Sequence, residues 1–215
     1  PLGTPATGAV IAHEDITARK QMEEDLRLGF LQVQSYQQQL LMLNRMNNLL
    51  LSCQTRAEAY EVIGISAKTL FSNCSGWLAI RDEATPEVLR VVAGWGAGEP
   101  PPATFPMDDC WALRRGELHE VLENGDNLPC KHFVTPPVTP SLCAPLIVAG
   151  QTLGVLHLTI DAKDVAENVF QHWRALTLKV SGAIKLALSN LALQEALQEQ
   201  AIHDPLTGLY NRRHL

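Results

Sequence analysis

The chain has 215 residues, with 17 basic and 23 acidic side chains, a formal net charge of −6 and a hydrophobic fraction of 46%. An acidic surface without a long run of Lys or Arg argues against nucleic acid or an anionic membrane as partner. Uncharged apolar stretches stay shorter than the roughly 18–20 residues that cross a bilayer, so direct membrane insertion is not expected. The five cysteines are odd in number and irregularly spaced, which indicates a reducing cytoplasm rather than a disulfide scaffold.

The N-terminal residues predict a strand that leads into a helix. Residues 8–17 (GAVIAHEDIT) begin as an apolar run and end in the candidate helix caps Asp15 and Thr17. This stretch resembles the exit of PAS domains, where the last strand ends in D-I-T-x-R-K and passes into a linker helix. The resemblance covers only that strand and implies that residues 1–17 are a PAS remnant.

A long helix is predicted next, because residues 16–52 contain no proline and a single glycine, Gly29. At 1.5 Å per residue such a helix is roughly 50 Å long, which is too long for one compact domain of this size. Mixed heptads favour a two-stranded coiled coil between two copies of the chain, and a single buried helix is the alternative. We assign residues 18–44 to this linker helix. Its two competing apolar registers are Leu26, Phe30, Val33, Leu40 and Leu51, and Leu28, Leu31, Leu43, Met46 and Leu50.

The middle of the chain predicts a mixed α+β domain. Helices are expected at 56–71 and 108–116, and strands at 74–82, 88–95, 141–148 and 152–160, the last two joined by a turn at 149–151. An irregular stretch with several prolines precedes the last two strands. A second long helix is expected from about residue 165 to residue 202, because this stretch has one glycine and no proline.

This order of elements resembles a GAF domain over residues 45–188. The resemblance is carried by residues 76–80 (GWLAI) and by residues 142–158 (LCAPLIVAGQTLGVLHL), which are similar to the last hairpin of that family. It implies an α+β fold with a GAF-like antiparallel sheet. The terminal helices would pack on one face of that sheet and a ligand cavity would lie on the other. Long N- and C-terminal signalling helices would flank the domain.

Five cysteine and histidine residues form a candidate metal or redox site: Cys110, His119, Cys130, His132 and Cys143. Thiolate and imidazole together suit zinc or an iron site, with haem as a further option. The alternatives are thiol redox sensing and cysteines buried as small hydrophobic residues. The spacing matches no zinc-finger pattern, so the cofactor stays open.

A candidate ligand-binding set comprises Trp111, Arg114, Arg115 and His157. The two arginines suit a bidentate anionic ligand, or else a solvent-exposed charge pair at the end of a short helix. His157 is either directed to the cavity or a core histidine. The string D-C-W-A-L-R-R-G-x-x-H, followed by C-x-H and L-C-x-P-L, resembles a subset of GAF domains found upstream of GGDEF modules. The cyclic-nucleotide motif N-K-x-n-F-x3-D-E of other GAF domains is absent, so a cGMP pocket is not expected.

The most specific motif lies at the end of the chain. Residues 204–213 (DPLTGLYNRR) resemble the opening of GGDEF domains, the catalytic units of diguanylate cyclases, which join two GTP molecules into cyclic di-GMP. Residues 189–203 are then a linker helix and residues 204–215 the start of a truncated GGDEF domain. No GG[DE]EF signature follows, so this chain is not expected to be an enzyme. The resemblance implies a bacterial diguanylate cyclase as its parent protein.

The preferred hypothesis is therefore a dimeric sensory GAF module. A small ligand, metal or redox signal would change the packing of the long helices, which pass the change to the cyclase. One alternative is a ligand-free GAF that serves as a dimerisation spacer. Another is a GAF-fold enzyme such as a free methionine sulfoxide reductase. The expected partners are a second copy of the chain, bound through both long helices, and an unknown small molecule. The stripe expected to transmit the change comprises Trp173, Leu176, Val180, Ala187 and Leu191.

Overall fold

The structure, a computed structural model, describes residues 17–98, 102–122, 127–133, 135, 139–161 and 165–202. Within them the helices are α1 (Thr17–Ser52), α2 (Arg56–Leu70), α3 (Trp111–Arg115) and α4 (Glu167–Ile202). The strands are β1 (Cys74–Arg81), β2 (Val88–Trp95), β3 (Thr104–Pro106), β4 (His119–Val121), β5 (Ser141–Val148) and β6 (Gln151–Ile160), and a 3-10 turn covers Met107–Asp109. The predicted strand before Thr17 and the GGDEF-like motif at 204–213 lie outside the described residues.

The chain divides into two units, residues 1–40 and residues 41–215, and α1 contributes to both. In the first unit, the apolar residues Leu26, Phe30 and Val33 of the first predicted register are exposed. In the second unit, Met46 and Leu50 of the other register are buried in the core. The end of α1 is thus part of the core of the second unit.

In the described residues, the strands form one sheet in the order β3-β2-β1-β6-β5-β4. Every neighbouring pair is antiparallel. The β5–β6 hairpin turns at Ala149 and Gly150, whose positive φ values of 49° and 77° suit a tight two-residue turn between twisted strands. This sheet with its helices confirms the predicted α+β fold class. Strands β3 and β4 were not predicted, because three residues are too few to show an alternating pattern.

One face of the sheet is covered by α2 and α4. Side chains alternate along a strand, so Leu142, Ala144 and Leu146 of β5 all join the core cluster on this face. The predicted signalling stripe of α4 is buried in the same cluster: Trp173, Leu176, Val180, Ala187 and Leu191. These residues therefore attach α4 to its own sheet, as expected for the apolar side of an amphipathic helix.

Two arginines join α4 to other elements. Arg56 of α2 donates hydrogen bonds from Nε and Nη2 to Glu195 of α4, at 3.0 and 2.6 Å, and from Nη1 to Glu83, at 2.8 Å. Arg174 of α4 donates to Glu120 of β4 at 2.5 Å. Partly exposed ion pairs contribute little stability individually, so these two connect α4 with α2 and β4 but do not by themselves fix its position.

The opposite face of the sheet is covered by residues 107–118 and 127–133, here called the covering segment. Because this face is also buried, central strands are apolar on both sides, and the first seven residues of β1 are all buried. The second core cluster on this face consists of Trp77, Ala79, Leu89, Phe105, Cys110, Ala112, Cys130, Cys143 and Val155.

Between Glu167 and Gln198, α4 is long and apolar enough by composition to cross a membrane, and 44% of its most apolar window is buried inside the protein. The sequence did not indicate such a segment, because Lys179 and Lys185 interrupt the uncharged run. Contact with the sheet accounts for the apolar residues on the buried side of α4, as in core helices of globular proteins.

A substitution at Gly154 of β6 tests the close contact between β6 and β1. A Cβ atom at this position would collide with the Ala79 carbonyl oxygen and lie 2.9 Å from the Ile80 Cα atom. Backbone atoms cannot move aside as a flexible side chain can. We expect Gly154→Ala to lower the free energy of unfolding by about 2–4 kcal/mol, as measured by urea unfolding followed by circular dichroism.

Gly64→Ala is the matched control. It adds the same methyl group in α2, at an ordinary 3.5 Å from the Ala93 Cβ atom. Alanine is the better helix former there, so the free energy of unfolding should rise by about 0.5–1 kcal/mol. Equal losses for the two substitutions would contradict this account of the sheet.

Candidate functional site

Four buried side chains converge on the covered face of the sheet: Cys110, Cys130, His132 and Cys143, here called the Cys/His cluster. Their potential ligand atoms all lie within 4.8 Å of one another. Cys143 Sγ is 3.7 Å from His132 Nε2. The cluster therefore joins residues that are up to 33 positions apart in the chain (143 − 110 = 33).

Local backbone structure brings these residues together. Cys110 lies between the 3-10 turn and α3, and the Lys131 backbone N–H donates to the Asp109 carbonyl oxygen at 2.9 Å. This bond places the loop with Cys130 and His132 beside Cys110. Cys143 lies in β5 and is directed away from the helices, because side chains alternate along the strand.

The three thiols share their protons unequally. Hydrogen bonds from Cys130 and Cys143 lower the pKa of the Cys110 thiol well below its usual range. The same bond to Cys110 raises the pKa of Cys130 to about 12, and the pKa of Cys143 is also raised, first by its bond to Cys110. Of the three thiols, Cys110 is therefore the one that loses its proton most readily. A thiolate is a nucleophile and a metal ligand.

His157 of β6 lies directly behind the cluster. Its Nδ1 is 3.4 Å from Cys143 Sγ and its Nε2 is 2.8 Å from Thr159 Oγ1. Burial, followed by the neighbouring His132, lowers the pKa of His157 to about 3, so the ring is neutral at physiological pH. Both contacts are satisfied when Nδ1–H donates to the Cys143 sulfur and the Thr159 hydroxyl donates to Nε2.

Aromatic side chains surround the cluster. The His132 ring lies 5.2 Å from Trp77, 4.8 Å from Phe105 and 4.3 Å from Phe133, measured between ring centroids. The His157 ring lies 4.8 Å from Trp77. These contacts lie on the face where a GAF ligand cavity was expected, and they keep the Cys/His cluster in an apolar environment.

His119 is near the cluster but outside it. In β4 it pairs with Cys143 of β5, and its Nε2–H donates to the Leu128 carbonyl oxygen at 2.8 Å. Its ring is 6.3 Å from that of Trp111. Of the five residues predicted as a metal or redox site, the structure brings four together, and it engages His119 with the backbone instead.

The predicted ligand-binding arginines do not converge on the cluster. The exposed Arg114 guanidinium lies over the Trp111 ring, 4.3 Å from its centroid, and Arg115 forms an exposed ion pair with Glu117 at 3.4 Å. They lie in the last turn of α3, where cations are favoured by the helix dipole. This is the exposed charge pair named above as the alternative to an anion site.

Four contributors to the site were not predicted from the sequence: Thr159, Trp77, Phe105 and Phe133. Thr159 could have been found, since it lies two positions after His157 and thus on the same face of β6. The aromatic neighbours Trp77 and Phe105 come from distant strands, and nothing local in the sequence marks them.

No protein-family model and no curated protein matches the chain. Solved structures do. A putative GAF sensor protein from Burkholderia vietnamiensis aligns with a TM-score of 0.55 at 12% identity, over 72% of this chain and 96% of that one. The GAF domain of A. aeolicus nlh2 in an inactive state aligns with a TM-score of 0.54 at 13% identity, over 70% of this chain and 95% of that one. The free methionine-R-sulfoxide reductase from Neisseria meningitidis aligns with a TM-score of 0.50 at 14% identity, over 69% of this chain and 89% of that one. At these identities the likeness shows the fold alone: the chain has a GAF-like fold.

Proposed function

We propose that the chain is the sensory GAF module of a diguanylate cyclase, which receives a signal on one face of its sheet and transmits it through α4. The continuity of α4 carries this proposal. The helix is buried against the sheet as far as Leu191 and continues to Ile202, and the GGDEF-like motif begins at Asp204. One hydrogen-bonded helix therefore leads from the domain core to the proposed output, and a helix of this kind resists bending.

Strand β5 separates the Cys/His cluster from α4. Cys143 belongs to the cluster on one face, whereas Leu142 and Ala144 are in the core shared with α4 on the other. A shift of β5 caused at Cys143 thus alters the surface on which α4 lies, because cores are closely packed. The ion pair between Glu120 and Arg174 supplies a second link, from β4. A few kcal/mol of difference between two helix arrangements is enough to change which one dominates.

A second copy of the chain is the proposed partner of α4. Four exposed leucines, opposite the buried stripe, lie along one side of the helix: Leu178, Leu186, Leu193 and Leu197. A side of this kind is typical of a two-stranded coiled coil. Dimerisation also suits the proposed output, because a diguanylate cyclase must bring two GTP-loaded halves together. The exposed apolar residues of α1, such as Leu26 and Phe30, support the same partner.

We further propose that this module catalyses no reaction itself. Cys110, Cys130 and Cys143 are each at most 3% exposed, so a substrate in solution does not reach their sulfur atoms. This burial argues against the activity named for the structurally similar reductase. The free cysteines and the proposed use of GTP support a location in the bacterial cytoplasm.

A ligand-free spacer is the second candidate, and the aromatic packing on the covered face of the sheet favours it. The aromatic contacts of Trp77, Phe105 and Phe133 argue against a bound organic molecule on this face. If the chain is nevertheless a sensor, the Cys/His cluster is the group that receives the signal. Cys143→Ser in the full-length protein separates the two candidates. An unchanged rate of cyclic di-GMP formation would favour the spacer.

The rotational phase of α4 is expected to control the output. In the full-length parent protein, two residues inserted after Gln198 rotate the following helix by about 200°, whereas seven inserted residues restore it to within about 20°. We expect the two-residue insertion to change the rate of cyclic di-GMP formation from GTP at least about tenfold, which corresponds to about 1.4 kcal/mol. The seven-residue insertion should keep the original rate. Chromatography of the nucleotide product measures both.

The uninserted parent protein is the reference in this experiment. Its failure to form cyclic di-GMP from GTP would overturn the proposed output. Equal rates for the two insertions would instead overturn transmission through α4.

The oligomeric state is expected to depend on the exposed leucines of α4. Each buried leucine contributes about 1.5–3 kcal/mol, so Leu186→Glu combined with Leu193→Glu should raise the dimer dissociation constant at least about a hundredfold. Light scattering across a concentration series measures the change. Leu128→Glu is the control, because Leu128 is equally exposed but lies in the covering segment. A wild-type monomer at micromolar concentration would contradict the dimer.

A further inference from the structure

We infer that Cys110, Cys130, His132 and Cys143 bind a single Zn²⁺ ion, which fastens the covering segment to β5. Zinc–sulfur distances of about 2.3 Å and zinc–nitrogen distances of about 2.0–2.1 Å place two tetrahedral sulfur ligands roughly 3.8 Å apart, and sulfur and nitrogen roughly 3.6 Å apart. The observed separation of Cys143 Sγ and His132 Nε2 is 3.7 Å. All donor pairs lie within 4.8 Å, so small side-chain adjustments close the coordination sphere.

The donor set has the composition of a closed zinc site. Three cysteine sulfurs and one imidazole nitrogen are among the combinations that hold structural zinc tetrahedrally. All four residues are buried, and four protein ligands leave no open position for water or substrate. The expected role of the ion is therefore structural rather than catalytic.

Hydrogen-bond donors are already in place around the sulfur atoms. The Trp111 backbone N–H donates to Cys130 Sγ at 3.3 Å, and His157 Nδ1 is 3.4 Å from Cys143 Sγ. Three thiolates around Zn²⁺ leave one negative charge in an apolar environment, and N–H donors of this kind stabilise it. Thr159 in turn holds the His157 ring from its other side.

The geometry distinguishes one ion from the other cofactors that the residue types allow. Haem iron takes one or two protein ligands on the axis of a flat porphyrin, whereas four donors converge here from several directions. An iron–sulfur cluster distributes its ligands over several iron atoms, which requires a wider separation than 4.8 Å. Convergence on one point favours a mononuclear site.

Zinc at this position would join three separate parts of the chain. Cys110 comes from the start of α3, Cys130 and His132 from the loop before β5, and Cys143 from β5 itself. Unloading the ion would free the covering segment from the strand that supports α4. The inference deepens the proposed function by naming the ligand of its signal-receiving cluster. It is nevertheless tested without any cyclase domain, so the two proposals can fail separately.

The experiment is metal analysis of the full chain, purified untagged under reducing conditions. We expect about one zinc per chain in the wild type, and loss of most of it in Cys110→Ser and Cys143→Ser. Chelation should lower the melting temperature of the wild type by roughly 5–15 °C, because the ion binds the folded state. Cysteine binds zinc as the thiolate, so protons compete with the ion and zinc affinity should fall as the pH is lowered.

Two control variants test whether zinc binding depends on the Cys/His cluster alone. Cys74→Ser replaces a buried cysteine outside the cluster, and His119→Gln replaces the adjacent histidine; both should retain zinc. A cobalt titration of the wild type covers the case in which the serine variants do not fold, since Co²⁺ with thiolate ligands in a tetrahedral site absorbs strongly in the visible range. Metal-free protein without a cobalt signal, iron with acid-labile sulfide, or zinc retained by both cysteine variants would overturn the inference.

Discussion

The alternation of side chains along β5 is the constraint on which the structure depends. Leu142 and Ala144 enter the core beneath α4, and Cys143 between them enters the core beneath the covering segment. A slip of one residue would exchange the two sets, placing a thiol against the helices and leucine against His132. The neighbours of β5 reinforce this register, since β4 contributes Glu120 to α4 and β6 places His157 behind Cys143. One strand thus separates the chemistry of the site from the helix that leads away from it.

Most of the fold could be predicted from local patterns. Strands β1, β2, β5 and β6 are apolar runs of eight to ten residues, and the long helices contain no proline. The edge strands β3 and β4 are three residues each, too short for any periodic signal, and form because longer strands offer them partners. The role of the stripe on α4 could not be predicted either. A helix that contacts its own sheet and a helix that contacts a second copy need the same apolar spacing, and only the folded domain shows which side is covered.

The candidate site could be predicted from the sequence only in part. Residue types pointed to Cys110, Cys130, His132 and Cys143, but the sequence could not separate them from His119. That separation depends on the path of the covering segment, where the Lys131–Asp109 backbone bond places one loop beside another. Arg114 and Arg115 were candidates because of their charge. Their exposure follows from α3, a helix of five residues that buries one side and leaves its last turn in water.

In the proposed signalling role, the part of α4 beyond the core would act as a lever arm. Core contacts hold the helix as far as Leu191, and the eleven residues from there to Ile202 (202 − 191 = 11) extend it by roughly 17 Å. A tilt of about 10° at the sheet would displace the far end by roughly 3 Å, close to the width of a side chain. The bond between Arg56 and Glu195 lies along this part of the helix and connects it with α2. In that role, the displacement at the end of α4 would depend on how far along the helix the contacts with the rest of the domain extend.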